Sequence, residues 1–504
     1  MMTGLTPEFV LGLTLLLPGL GAVLIGCADG YSALRDALSL LIATALCGAV
    51  VWLLMDHLAG GVAQLQMMQI VQGLPLLFVV EPLGLVFATL ASALWIVITA
   101  YSIGYMRSNN EPHQTRFYIC FAIAMASTMG IAFAGNMITL FLFYEMLTLS
   151  TYPLVVHHET DAARRAGRVY LGVLLSTSIL FFLPAIIWTW YITGTLDFTK
   201  GGILSGKIEG PQAAILFALY LFGTGKAALM PFHRWLPAAM VAPTPVSAFL
   251  HAVAVVKAGV FTVLKVGIYI FGVGFLSTMN VSEWMAWVAA FSLIAASFIA
   301  IRKDDLKARL AYSTIAQLAY VTLGVSLATV MGMVGGVMQL VAHALGKITL
   351  FMCAGAIYLA SGKKNVSEMR GLGRVMPFTF GAFLLAALSI VGIPPTGGAW
   401  SKWFLMMGAA DSGQRVMIGV WMLSSLLSIA YLIPLVARGF FLPLPDQEDR
   451  PQPQGREISV IRLANMREAP LWCVVPACIT AILSVLVYFV GPSIAGFVLP
   501  TLGP

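Results

Sequence analysis

Residues 223–237 read GTGKAALMPFHRWLP, and residues 389–405 read SIVGIPPTGGAWSKWFL. Both stretches lie inside long apolar runs, and both join helix-breaking residues to a lysine. Lys226 comes five residues before Pro231; Lys402 follows Pro394, Pro395, Gly397 and Gly398. Proline removes a backbone donor and opens a helix. In lipid, an opened helix is tolerated only where protein or water re-satisfies its backbone. A broken span beside an ionisable residue therefore points to an ion site near the midplane. A packing kink would explain one such stretch, but it explains two, each with its own lysine, less well.

The rest of the chain has the composition such breaks require. Of 504 residues, 60% are hydrophobic and 10% are charged, against about 25% charged in a soluble domain. The expected class is a polytopic membrane protein. No Lys or Arg precedes Arg35, and Glu8 stands where a signal peptide would be cationic. The first apolar run is expected to stay as a span. The net charge of +7 is assigned to loops and membrane lysines, not to a nucleic-acid surface. The six cysteines lie in or beside apolar runs without a CxxC pair, as small buried hydrophobes do. No spacing suggests haem, an iron–sulfur cluster, zinc or another cofactor.

Runs of roughly 17–25 apolar residues can cross a bilayer. About fourteen occur, near 8–26, 37–55, 82–104, 117–134, 137–156, 169–192, 212–240, 244–272, 282–301, 310–330, 332–360, 376–408, 416–437 and 470–499. Outside the runs, odd-numbered connections hold every Lys and Arg except Lys200, Lys207 and Arg415. The positive-inside rule then places the odd connections in the cytoplasm and both termini on the other side. The seventh and twelfth runs, which carry the two breaks, are antiparallel in this topology. That is the relation expected of two inverted repeats of five spans each.

Five lysines fall inside the runs: Lys226, Lys257, Lys265, Lys347 and Lys402. Glu145, in FLFYEMLTLSTYPLV at 141–155, is the one acid deep in a run, and His251 and His343 are also internal. The six charged groups, left unpaired in lipid, would cost ~15–21 kcal/mol together. That exceeds the ~5–15 kcal/mol net stability of a typical protein, so they must pair, hydrate or neutralise. Interhelix hydrogen bonding is the plain structural alternative, and snorkelling to an interface suits Lys265. Burial penalises the charged forms of lysine and histidine and lets such groups take up and release protons. A membrane row of Glu, Lys and His is what a proton relay requires. His343 and Lys347 are four apart and share a helix face. His251 and Lys257, six apart, lie roughly 240° apart round the helix and point differently.

These residues resemble the antiporter-like proton-translocating subunits of respiratory complex I, membrane-bound hydrogenases and Mrp-type cation/proton antiporters. The resemblance covers about 80–490. It is carried by PFHRWLPAAMVAPTPVSAFLHAVAVVKAGVF (231–261), DDLKARLAYSTIAQLAY (304–320), HALGKITLFMCAGAIY (343–358) and GIPPTGGAWSKW (392–403). It implies an all-α fold of about 14 transmembrane helices, with two inverted five-helix repeats and broken helices 7 and 12. The divisions are helices 1–3 at 1–116, repeats at 117–272 and 282–437, a polar loop at 441–469 and a last helix at 470–504. Glu81 in EPLGL departs from the Asp usual in the family before the third span. Little chain follows the fourteenth run, which favours a D-type Mrp subunit over the largest complex I member with its long lateral helix.

The resemblance also assigns roles. Lys226 and Lys402 would carry protons in two half-channels. His251, Lys257, His343 and Lys347 would connect them, and Glu145 would be the charge partner of Lys226. The expected partners are other membrane subunits, lipid and protons, with Na⁺ or K⁺ as candidate coupled ions. No metal or cofactor is expected on this chain. The alternative is a pumping subunit of a complex I-like NADH/quinone oxidoreductase or hydrogenase, with all electron chemistry in the partners.

Overall fold

The computed structural model describes residues 6–443, 461–463 and 466–502. Among them, eleven helices are long and apolar enough to cross a membrane, so the chain is a multi-pass integral membrane protein. Of the other three expected runs, the tenth is a more polar continuous helix, Leu306–Ser326. The seventh and twelfth are interrupted, as the proline and glycine stretches predict. Helix Gly210–Gly223 gives way to a single 3₁₀ turn at Gly225–Ala227. Helix Pro377–Val391 is separated from Gly397–Asp411 by residues 392–396.

Several helices begin where a short polar side chain accepts an otherwise unpaired backbone N–H. Asn136 starts Met137–Val155, Thr160 starts Asp161–Thr177, Asp305 starts the tenth helix and Thr329 starts Val330–Ser361. The eighth and eleventh runs have their most apolar windows wholly buried. They form the centre against which the others pack.

Two features were not expected from the sequence. The eighth run is interrupted within its length: Thr244–Ala252 stops, the backbone leaves helical geometry at Ala254, and Val255–Lys265 begins anew. Beside the helices lie two small antiparallel strand pairs, Gln64–Val71 with Leu74–Val79 and Ile461–Leu463 with Met466–Glu468. The first docks on the connection between the fourth and fifth runs. Gly135 N donates to Leu77 O at 2.8 Å, and Asn136 Nδ2 donates to Pro75 O at 2.8 Å. The expected polar loop at 441–469 lies mostly outside the described residues.

The connections sort onto two ends of the bundle, as the odd–even charge asymmetry requires. At the odd end, His158 Nε2 meets Glu111 at 3.1 Å, and Lys307 Nζ donates to Ala242 O at 2.6 Å. Ser367 Oγ donates to Asp304 there at 2.6 Å. Burial holds His157, beside Glu111, down at about 4 from its usual 6.5.

Candidate functional site

Lys226 sits in the 3₁₀ turn of the seventh run with no exposed surface. Its Nζ donates to Tyr144 O at 2.7 Å and to Thr148 Oγ1 at 2.6 Å, and it lies over the Tyr144 ring. The opened backbone is re-satisfied by side chains, as a break in lipid requires. Lys226 N donates to the Tyr144 hydroxyl, Trp235 Nε1 donates to Gly225 O, and Met230 N donates to Ser292 Oγ. The eighth run presses directly on the break. A Cβ at Gly259 would stand 2.4 Å from both Ala227 N and the Lys226 carbonyl carbon.

Glu145 corrects one expectation. It is the neighbour of Tyr144 in sequence. Yet it makes no ion pair with Lys226 within 4.0 Å. Both carboxylate oxygens are buried without a hydrogen-bond partner. The ammonium has found a backbone carbonyl and a hydroxyl instead, because its turn faces residues 144 and 148, not 145.

Of the four expected connecting residues, two meet directly and the other two bond to the tenth run. Lys257 Nζ lies 2.6 Å from His343 Nδ1, joining the eighth run to the eleventh. One turn along, Lys347 Nζ donates to Ser313 Oγ at 2.7 Å and Leu310 O at 3.1 Å on the tenth. His251 Nδ1 meets Thr314 Oγ1 at 3.0 Å, and its ring packs on Phe351. The interruption at 253–254 lies between His251 and Lys257, so the angle drawn for an unbroken helix does not apply to them. All four groups are buried.

Lys402 follows the second break and is also buried. Its Nζ donates to Val391 O at 2.5 Å and Ser425 Oγ at 2.6 Å, with the Tyr320 ring centroid 5.3 Å away. Gly392, at φ +88°, allows the lysine to pass. A Cβ there would meet Lys402 Cδ at 2.6 Å. Each lysine therefore meets a carbonyl, a hydroxyl and a tyrosine ring. The residue after Tyr144 is Glu145, whereas the residue after Tyr320 is Val321, so the second lysine lacks that neighbouring acid.

Between Lys347 and Lys402 runs a set of neutral groups that sequence reading missed. Ser313 Oγ donates to the Tyr431 hydroxyl at 3.1 Å, which meets Ser428 Oγ at 2.9 Å. One turn from Ser313, Gln317 accepts from Gln339 Nε2 at 2.6 Å. Gln339 in turn accepts from Ser401 Oγ at 2.5 Å, beside Lys402. Neutral polar residues are common in membrane helices, so nothing marked these. The usable signal was the four-residue spacing of Ser313 and Gln317.

Lys265 does not snorkel. It is fully buried, ion-paired with Glu81, and packed near Phe198 and Tyr269. Among the described residues, no group of three or more His, Cys, Asp or Glu is placed to hold a metal.

Known proteins are similar to this chain in sequence and in fold. The pattern of the family described as NADH:quinone oxidoreductase/Mrp antiporter, TM, matches residues 134–428. NADH-quinone oxidoreductase subunit N of Desulforudis audaxviator is 31% identical over 75% of this chain and 76% of its own length. The putative antiporter subunit mnhA2 of Staphylococcus saprophyticus is 28% identical over 84% of this chain, which spans only 54% of that longer protein. In fold, the chain is similar to one in the Mrp complex from Dietzia sp. DQ12-45-1b, with TM-score 0.85 and 22% identity over 99% of this chain and 98% of the other. A chain of an archaeal membrane-bound sulfane sulfur reductase gives 0.82 and 21% over 98% and 97%. More than half of the sequence falls inside one family pattern, the two lysine-bearing breaks included, and the chain belongs to the NADH:quinone oxidoreductase/Mrp antiporter transmembrane family.

Proposed function

We propose that this chain is a proton-translocating membrane subunit of a multisubunit cation/proton antiporter. It would lie in a bacterial cytoplasmic membrane with both termini on the non-cytoplasmic side. Protons would move between Lys226 and Lys402 by way of Lys257, His251, His343 and Lys347. Ser313, Gln317, Gln339 and Ser401 would bridge the last interval, with water. Na⁺ or K⁺ would be exchanged by the assembly, whose other membrane subunits are the partners. A Rhizobium meliloti relative described as a probable K⁺/H⁺ antiporter subunit, 32% identical over 63% of this chain, supports that class.

The observation that carries the reading is the 2.6 Å contact of Lys257 with His343. It is a buried donor–acceptor pair between two groups that can each hold or lose a proton, placed between the two broken helices. Residues 117–272 and 282–437 are read as the inverted repeats. The matching surroundings of Lys226 and Lys402 support this. Glu145 is read as a moving partner. Approach to Lys226 would hold a proton there, and withdrawal would release it, because an uncompensated buried ammonium is costly. In the withdrawn arrangement the two groups would make no contact pair.

The test is ion exchange in inside-out vesicles bearing the assembled complex. Lys257→Met and His343→Phe should each lower flux at least about ten-fold with assembly intact. Assembled variants with wild-type flux would remove the proposal. A second reading is a pumping subunit of a complex I-like oxidoreductase. The subunit N relative favours it, being matched over more of its own length than the antiporter relatives. NADH- or donor-driven proton uptake by the purified assembly would select it.

A further inference from the structure

A groove of about 640 Å³ opens beside Lys402, between the second break, the thirteenth run and the last helix. That volume is ordinary for a small-molecule site. Its rim is apolar and exposed at Trp403, Met422 and Leu426, the side that faces lipid in a lone chain. Its base is not apolar. The Lys402 ammonium has three donors, and two are used, by Val391 O and Ser425 Oγ. Trp421 also lines the groove, and its indole N–H is buried without a partner. Buried donors ordinarily find acceptors. An ammonium with one donor not taken by oxygen and an unpartnered indole N–H thus belong to residues that line an apolar slot open to the bilayer.

We propose that this groove binds a long-chain fatty carboxylate entering sideways from the bilayer. The carboxylate would accept from Lys402 Nζ and Trp421 Nε1, and the chain would lie along Trp403, Met422 and Leu426. A cationic amphiphile would meet the ammonium with like charge, and a neutral chain would leave both donors unpaired. A single-chain acid suits one slot better than a diacyl phospholipid, which brings a second chain. Occupancy would neutralise Lys402 from outside the proton path, so membrane fatty acids would inhibit exchange. That consequence rests on the proton-carrying reading of Lys402; the binding does not.

The test is photolabelling of the complete complex in vesicles with a diazirine-bearing fatty acid, mapped by peptide mass spectrometry. Saturable labelling of 391–406 and 421–429 is expected, displaced by palmitate and not by its methyl ester. Lys402→Met and Trp421→Phe should each weaken labelling about ten-fold, the scale of one charge-assisted hydrogen bond. Four results would overturn the site: labelling that does not saturate, equal displacement by the ester, stronger displacement by phosphatidylglycerol, or cross-linking of the groove to a neighbouring subunit in place of the probe. The acid–ester comparison needs only the unmodified protein, so it stands even where a variant fails to assemble. Flux inhibition by palmitate is read separately. Labelling without inhibition would leave the site and remove the role given to Lys402.

Discussion

Gly259→Ala tests whether the eighth run holds Lys226 in place. In an ordinary helix interior this change gains about 1 kcal/mol, because alanine has the higher helix propensity. Here the new Cβ would stand 2.4 Å from Ala227 N and the Lys226 carbonyl carbon, and 2.8 Å from Lys226 O. Contact between carbon atoms normally begins near ~3.5 Å. These are backbone atoms, so no side chain can rotate away, and the break must shift by roughly 1 Å. Overpacking of this kind costs ~1–3 kcal/mol. Set against the propensity gain, the net loss is about 0–2 kcal/mol. The larger effect is on function. A shift of that size lengthens the 2.7 Å and 2.6 Å bonds from Lys226 Nζ towards about 3.6 Å, where a hydrogen bond is lost. Misplacing a reacting group by 1 Å can cost on the order of a hundred-fold, so flux should fall at least ten-fold. Gly172→Ala is the control, since nothing lies within 4 Å of its added Cβ. It should be neutral or stabilising by up to about 1 kcal/mol, with full flux. Melting of the purified complex and dye-reported proton flux in vesicles measure both. If Gly259→Ala behaves like Gly172→Ala, the eighth run does not position Lys226.

Four further outcomes are expected. Glu145→Ala and Lys226→Ala should each abolish exchange while leaving assembly intact; normal flux from an assembled variant would count against the pair. Lys265→Met leaves Glu81 without its cation, and breaking a buried pair costs ~3–5 kcal/mol. The Lys265→Met/Glu81→Met double variant should recover much of that in a melting assay, and failure to recover would mean the pair is not the source. Glu468 accepts from Phe378 N, Thr379 N and Thr379 Oγ1 at the start of the twelfth run. Glu468→Ala should therefore cost ~1–2 kcal/mol, as loss of a helix cap does. His157 is held at about 4, below its usual 6.5, by burial. Between those values the unfolded chain binds a proton that the folded chain refuses, so stability falls as pH drops from 6.5 towards 4. The loss is about 2 kcal/mol near pH 5. His157→Phe should flatten that dependence in a pH series of melting curves.

The membrane class, the two breaks and the lysines beside them could all be read from the chain's residues in order. Those are local or compositional facts: apolar length, proline chemistry, and the cost of a charge in hydrocarbon. The i, i+4 pairing of His343 and Lys347 was legible for the same reason, since one helix spans both. Tertiary structure decided the rest. Lys257 meets His343 across 86 positions because the eighth and eleventh runs pack at the centre. Glu145 misses Lys226 because the 3₁₀ turn aims the ammonium at residues 144 and 148. Lys265 stays buried because Glu81, just before the third run, neutralises it. The interruption at 253–254 carries neither proline nor glycine, so propensity gave no warning of it. A charge in a membrane announces itself in the sequence because its cost is local, whereas its partner is chosen by packing between helices distant along the chain.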